Sequence, residues 1–283
     1  MGVPLFDDLK GKCCVITGGA GVIGCSLVDC LAQAEVKVAI LDLNAERAVK
    51  KANEISLSKG ATVVGLGANV LEKQSLIDAK REVNAQLGTI DILINAAGGN
   101  SPKATTAVET VEDKDLDHLE GTFFGLEMEA FRKVFDLNFI GTLLPSMVFA
   151  RDMIEGKQGV ILNISSMNSY RPLTRIPAYS AAKASINNFT AWLAVHLARQ
   201  NIRVNAIAPG FFLTDQNRFL MYDQATGGLS ARGNKILTGT PMKRFGMPDE
   251  LQGALLYLIS DMSKFVTGIV LPVDGGFSAY SGV

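Results

Sequence analysis

Cys13-Cys14-Val15-Ile16-Thr17-Gly18-Gly19-Ala20-Gly21-Val22-Ile23-Gly24 is the stretch on which the fold is read. An apolar run of β type ends in a glycine-rich turn, and apolar residues then recur with helical period at Leu27, Leu31 and Ala34. Strand, glycine turn and helix in that order are the setting of a phosphate-binding fingerprint. Within it, Gly19-x-Gly21-x-x-Gly24 supplies small residues that let the backbone approach a pyrophosphate, and the helix amino terminus behind them favours its charge. Alone, the pattern equally describes an ordinary tight turn. Its weight comes from a second apolar strand at 36–41 that ends at Asp42, near the offset of about 20 residues at which an acid accepts adenosine ribose hydroxyls. No Arg or Lys directly follows Asp42, so a 2′-phosphate would meet a carboxylate without a counter-charge, and NAD is expected over NADP.

Outward from this unit, strand and helix patterns alternate. Strands are expected at 61–66, 90–94, 160–164, 202–207 and 268–273, with helices at about 72–87, 129–154 and 178–198, and a last one opened by Pro248. Near-continuous apolar strands in regular alternation with helices imply a parallel sheet covered on both faces, hence a seven-stranded, doubly wound α/β fold in one domain over 1–283. Two segments break the rhythm. Residues 99–125 are polar and acidic and read as a surface insertion; residues 211–239 are long, without strong periodicity, and read as a lid whose Arg218, Arg232 or Lys235 could approach an anionic ligand. Pro145 is expected to bend its helix, and Asn138, a poor helix former in an apolar run, is either a satisfied core amide or a functional one.

The chemistry is read from Ser165-Ser166-Met167-Asn168-Ser169-Tyr170-Arg171-Pro172-Leu173-Thr174-Arg175-Ile176-Pro177-Ala178-Tyr179-Ser180-Ala181-Ala182-Lys183. After Pro177 the residues are good helix formers, so Tyr179 and Lys183, four apart, share a helix face. A cation held beside a phenol favours the phenolate and lowers its pKa toward the range of a general acid/base. The strand before it delivers Ser165 and Ser166 to its carboxyl end, where open α/β sheets bind ligands and a hydroxyl could polarise a carbonyl. A lone Tyr-x-x-x-Lys is most often a surface helix contact, and the rest of the chain is what raises it.

Hydrophobic residues make up 48% of the 283 and charged residues 19%, a globular balance, and the formal charge of −1 offers no electrostatic case for nucleic acid or an anionic membrane. Cys13, Cys14, Cys25 and Cys30 have no metal-ligand spacing and are expected as reduced core thiols; His118 and His196 give no zinc pattern. The amino-terminal residues carry no signal core, and no uninterrupted apolar run is long enough to span a bilayer, so a cytoplasmic location without membrane attachment is expected.

Taken together, Thr17-Gly18 to Gly24, Asp42, Asn95-Ala96-Ala97-Gly98, Asn138, Ser166, Tyr179-x-x-x-Lys183, and Pro209-Gly210 with Thr214 resemble the short-chain dehydrogenase/reductase family over essentially the whole chain. The resemblance implies a single NAD-binding Rossmann domain and a catalytic set of Asn138, Ser166, Tyr179 and Lys183. In that set Tyr179 exchanges the proton, Lys183 also binds the nicotinamide ribose, Ser166 holds the carbonyl oxygen and Asn138 holds a relay water. It further implies cofactor contacts at Gly18, Gly21, Val22, Ile23, Gly24, Asp42, Asn69, Val70, Asn95, Ala96, Gly98, Tyr179, Lys183, Pro209, Gly210, Phe212 and Thr214. Two departures stand out: Val22 replaces a glycine common in short members, and Asn69-Val70 stands where an Asp-Val pair often contacts adenine.

A narrower similarity, to the sugar-acid members and especially the D-mannonate oxidoreductases (fructuronate reductases), rests on four stretches: Gly98-Gly99-Asn100-Ser101-Pro102-Lys103, Ser166-Met167-Asn168, Pro209-Gly210-Phe211-Phe212-Leu213-Thr214, and the ending Asp274 to Gly282. It implies interconversion of D-mannonate and D-fructuronate, with Asn100, Lys103, Asn168, Arg171 and Arg175 as substrate candidates, the cations suiting a hexonate carboxylate. Gluconate 5-dehydrogenase-like activity, 3-oxoacyl reduction and a non-catalytic nicotinamide sensor are the alternatives. The family resemblance also implies a homotetramer, for which Phe139, Leu143, Met147, Phe189, Trp192 and Leu193 are the candidate pairing residues.

Overall fold

The computed structural model describes residues 6–214, 217–223 and 226–282. The remaining positions lie outside the described residues: 1–5, read above as lacking a signal, 215, 216, 224 and 225 of the expected lid, and 283. Seven strands form one parallel sheet: β1 (Cys13–Thr17), β2 (Lys37–Asp42), β3 (Val63–Gly67), β4 (Ile92–Asn95), β5 (Gly159–Ile164), β6 (Ile202–Pro209) and β7 (Val270–Val273). Their spatial order is β3-β2-β1-β4-β5-β6-β7, so the winding reverses between β1 and β4. The helices are α1 (Val22–Gln33), α2 (Ala45–Lys59), α3 (Lys73–Leu87), α4 (Met128–Gly156), α5 (Pro177–Leu197), α6 (Arg218–Met221), α7 (Ala231–Gly239) and α8 (Gln252–Ile259).

Alternation of side chains along each strand divides the core in two. Cys14 and Ile16 of β1, with Ile92 and Ile94 of β4, pack on the side of α1, α2 and α8. Cys13, Val15 and Leu93 pack on the opposite side with α3, α4 and α5. Burial on both faces explains why these strands read as continuous apolar runs. It also keeps the thiols protonated, pushing Cys13 up to about 12 and Cys30 to about 11.

Helix α2 is a correction, since the sequence reading assigns nothing to 45–59. Its amino end is capped by Asn44, whose side chain accepts from the Arg47 N–H at 2.9 Å, and its carboxyl end by Gly60 in the left-handed region. The buried stripe is Ala48, Ala52 and Ile55, mostly methyl groups that give little hydropathy contrast. Small residues are needed there because β3 lies close. A Cβ on Gly65 would fall 2.3 Å from the Ala48 carbonyl group.

Other expectations are also corrected. Pro248 opens a short 3-10 turn, Pro248–Leu251, before α8 begins. The 211–239 segment contains α6 and α7, and Lys235 of α7 forms an ion pair with Glu109 of the 99–125 segment. That segment is not all surface, since Ala104, Thr106 and Thr122 are buried. Helix α4 is long and apolar enough by composition to cross a membrane, but charged residues interrupt it and half of that window is buried in the protein. Of the pairing candidates, Phe189 and Leu193 are spent in the chain's own core, whereas Met147 and Trp192 are exposed, together with Val195.

Candidate active site

The carboxyl ends of β1, β4 and β5 come into line, with Thr17 opposite Asn95 and Asn95 opposite Asn163. Thr17 Oγ1 accepts from both the Ala96 and Ala97 N–H groups at 3.2 Å, tying the 95–98 turn to the start of the glycine loop. The two backbones are in close contact: a Cβ on Gly18, which has φ +65°, would lie 2.8 Å from Ala97 Cα. A Cβ on Gly24 would fall 2.5 Å from the Gly18 carbonyl oxygen, so α1 presses directly on the turn. No side chain caps α1 at Gly21, which leaves its first N–H groups facing the strand ends with their partial positive charge. That cradle fits a pyrophosphate.

Asp42, at the end of β2, is buried, and Arg47 donates to both of its carboxylate oxygens at 2.8 and 2.9 Å. This corrects the absence of a counter-charge inferred above. The cation comes from the first turn of α2, five residues on, and goes unseen without that helix. Asn69 is turned into the start of α3, where its Oδ1 accepts from Leu71 N and its Nδ2 donates to Glu72 at 2.8 Å. Val70 is buried and packs toward α4 at Gly141. Gly210 N–H donates to Val273, Phe212 is buried, and Thr214 is fixed by Asn217, whose Nδ2 also donates to the Phe212 carbonyl.

Helix α5 carries Tyr179 and Lys183 on one face, as the spacing requires. Lys183 Nζ lies 5.6 Å from the centre of the Tyr179 ring and donates to the Ile164 carbonyl at 2.7 Å. The two serines separate by direction. Ser165 Oγ donates to Asn187 Oδ1 at 2.5 Å and so belongs to α5, while Ser166 interacts with the Tyr179 phenol. The Tyr179 ring rests on Ala104, Ala130, Val134 and Ala178, so the 99–125 segment supplies part of its wall. Gly98 lies over the cluster: a Cβ there would come 2.6 Å from Asn138 Oδ1 and 3.4 Å from Lys183 Nζ. The Asn138 amide is fully buried and satisfied, with Nδ2 donating to the carbonyls of Gly99 and Val134 at 2.7 and 2.8 Å and Oδ1 accepting from Gly99 N.

The electrostatics differ from the expectation that Lys183 lowers Tyr179. Burial pushes the phenol above its ordinary value, and the Ser166 hydroxyl pulls the other way. Burial also drives the Lys183 ammonium down to about 7.

Four of the substrate candidates are engaged by other parts of the chain. Lys103 is exposed near Glu127, Asn100 Nδ2 donates to Thr105, Arg171 Nε donates to the Ser278 carbonyl, and Arg175 Nε donates to the Thr106 carbonyl. Asn168 is buried beside Ser166, its backbone N–H donating to Ser166 Oγ at 3.2 Å. Among the described residues no group of His, Cys, Asp and Glu could hold a metal ion.

A phenol, a lysine and a hydroxyl gathered beside a pyrophosphate-fitting turn define a dinucleotide-dependent oxidoreductase site. A sequence profile described as enoyl-(acyl carrier protein) reductase matches residues 18–278, and the chain belongs to the short-chain dehydrogenase/reductase family, whose members act on CH–OH groups. It is 50% identical over 283 residues to an uncharacterised oxidoreductase, UxuB, of Bacillus subtilis (strain 168), covering 99% of this chain and 100% of that one. A crystal structure from Haemophilus influenza with bound NAD, provisionally assigned as a D-mannonate oxidoreductase, superposes with a TM-score of 0.92 at 51% identity, covering 98% of each chain. The 5-keto-D-gluconate 5-reductase of Escherichia coli (strain K12) is 34% identical over 270 residues, 95% of this chain and 96% of that one.

Proposed function

We propose that this chain interconverts a secondary alcohol and a ketone of a sugar acid with NAD, the pair being D-mannonate and D-fructuronate. The observation that carries the reading is Tyr179 set between Ser166 and Lys183 at the strand ends beside Gly98. The sugar-acid assignment leans on the NAD-bound relative of 51% identity and the 5-keto-D-gluconate reductase of 34%.

NAD, when bound, accepts hydride from the carbinol carbon. Ser166 holds the substrate oxygen, and Tyr179 takes its proton as the C–H bond breaks. Lys183 stabilises the phenolate and binds the ribose hydroxyls. By bonding Gly99, Asn138 fixes the 98–99 backbone against Lys183. The Tyr179 environment serves both directions, because its proton is exchanged only when a substrate oxygen completes the set.

A panel of hexonates and 3-oxoacyl thioesters, followed by NADH absorbance, tests the substrate class. Hexonate oxidation is expected, with D-mannonate foremost; activity confined to thioesters would refute it. For the cofactor, Asp42→Ala removes the ribose acceptor and frees Arg47 for a 2′-phosphate. The NAD-to-NADP ratio of kcat/KM should fall by roughly tenfold or more, the equivalent of about 1.4 kcal/mol. An unchanged ratio would remove Asp42 from cofactor selection. The exposed Met147, Trp192 and Val195 on α4 and α5 fit a homotetramer. Light scattering should then return the mass of four chains, and a monomer would contradict the assembly.

A further inference from the structure

Tyr179, Lys183 and Asn187 stand four apart on α5 and share one face of the helix. The first two carry the chemistry described above. Asn187 lies one turn further on, and its side chain is bonded at both ends. Its Oδ1 accepts from Ser165 Oγ at 2.5 Å, and its Nδ2 donates to Ser169 Oγ at 2.8 Å. Ser169 Oγ in turn donates to the Ser166 carbonyl at 2.5 Å.

These bonds bracket Ser166. The ladder between β5 and β6 ends just before it, where the Ser165 N–H donates to the Ile207 carbonyl at 2.8 Å, and Ser166 then caps the 3-10 turn Met167–Ser169. Where the Ser166 hydroxyl sits relative to the Tyr179 phenol therefore depends on how that turn is tied to α5. Lys183 Nζ holds the Ile164 carbonyl at 2.7 Å, two residues before Ser166. Asn187 holds the next residue, Ser165, directly and the Ser166 carbonyl through Ser169. We infer that Asn187 is a positioning residue: through Ser165 and Ser169 it clamps the Ser166 turn onto the helix that carries Tyr179, and so sets the Ser166 hydroxyl against the phenol. Supporting hydrogen bonds of this kind hold reacting groups to within about 0.5 Å, and a misplacement of about 1 Å can cost about 10²-fold in rate. The inference rests on the reading of Ser166 as the holder of the reacting oxygen, whereas the contacts themselves do not depend on which alcohol is oxidised.

The test compares the similar-volume Asn187→Leu, Ser169→Ala and Ser166→Ala, and each of the first two combined with the third, on the best substrate of the hexonate and thioester panel. Asn187→Leu and Ser169→Ala should each lower kcat by roughly 10-fold to 100-fold. KM, and NADH affinity by fluorescence, should stay within about twofold, because the clamp acts on the reacting oxygen and not on the bound cofactor. In the Ser166→Ala background either change should cost less than about a further twofold, since no hydroxyl is left to place. A residue that only holds the fold together would cost the same factor in both backgrounds. Ser169→Ala removes a single oxygen from a half-buried turn and decides the matter even if Asn187→Leu does not fold. Equal losses in the two backgrounds, or normal turnover in Ser169→Ala, would overturn the inference and leave the reading of Ser166 standing. Normal turnover in Ser166→Ala would overturn both.

Discussion

Tyr179→Phe is expected to lower turnover by about 10²-fold to 10⁴-fold, the usual worth of a positioned general acid/base, while NADH binding stays within about twofold. Only the phenolic oxygen is lost, and the ring remains packed on Ala104, Ala130, Val134 and Ala178. The loss should therefore appear in kcat and kcat/KM alike, with an unaltered melting temperature. Stopped-flow and NADH fluorescence separate these quantities. Near-normal turnover would remove Tyr179 from the chemistry and leave Ser166 and Lys183 without a proton acceptor.

Lys183→Met is expected to do two opposite things. Turnover should fall by roughly 10²-fold or more, because the phenolate loses its counter-charge and the ribose its anchor. Stability of the free protein should rise. The ammonium is buried, and its folded value of about 7 lies below the ordinary 10.5. Between those values the unfolded chain binds more protons than the folded one, so the folding penalty of Lys183 is full below about pH 7 and fades as pH approaches about 10. Methionine does not titrate and incurs no such penalty. The variant's gain in melting temperature, roughly 2–4 °C for each kcal/mol recovered, should be greatest near pH 6 and vanish near pH 10. A gain independent of pH would mean that packing, not the buried charge, sets the difference.

What the sequence made legible was local. Cys13 to Gly24 revealed strand, turn and helix because apolar period and glycine placement are short-range properties, and Tyr179 and Lys183 shared a face because four residues make about one helical turn. Ser166 was separable from Ser165 only by resemblance; in the structure, Asn187 from α5 takes up Ser165. Helix α2 was missed because its buried stripe is largely alanine, and with it went the Arg47 bond to Asp42. The contacts of two cations proposed for a carboxylate were unreadable for a different reason. Arg175 and Arg171 are engaged by carbonyls 69 and 107 residues away in sequence, contacts that no local pattern encodes. The direction of the Tyr179 shift also depended on burial, which spacing cannot supply. Pairing with a neighbouring cation was readable, but the desolvation of both partners was not.

The central claim is that hydride leaves the carbinol carbon of a sugar acid for NAD under the control of Tyr179. It is tested most directly with D-mannonate carrying deuterium at the carbon that becomes the ketone of D-fructuronate. Incubated with the enzyme and NAD, this substrate should yield deuterated NADH and D-fructuronate in equal amounts, as read by mass spectrometry, and neither should form at a comparable rate with Tyr179→Phe. NADH free of deuterium, or no NADH with D-mannonate while another class of alcohol reacts, would contradict the account.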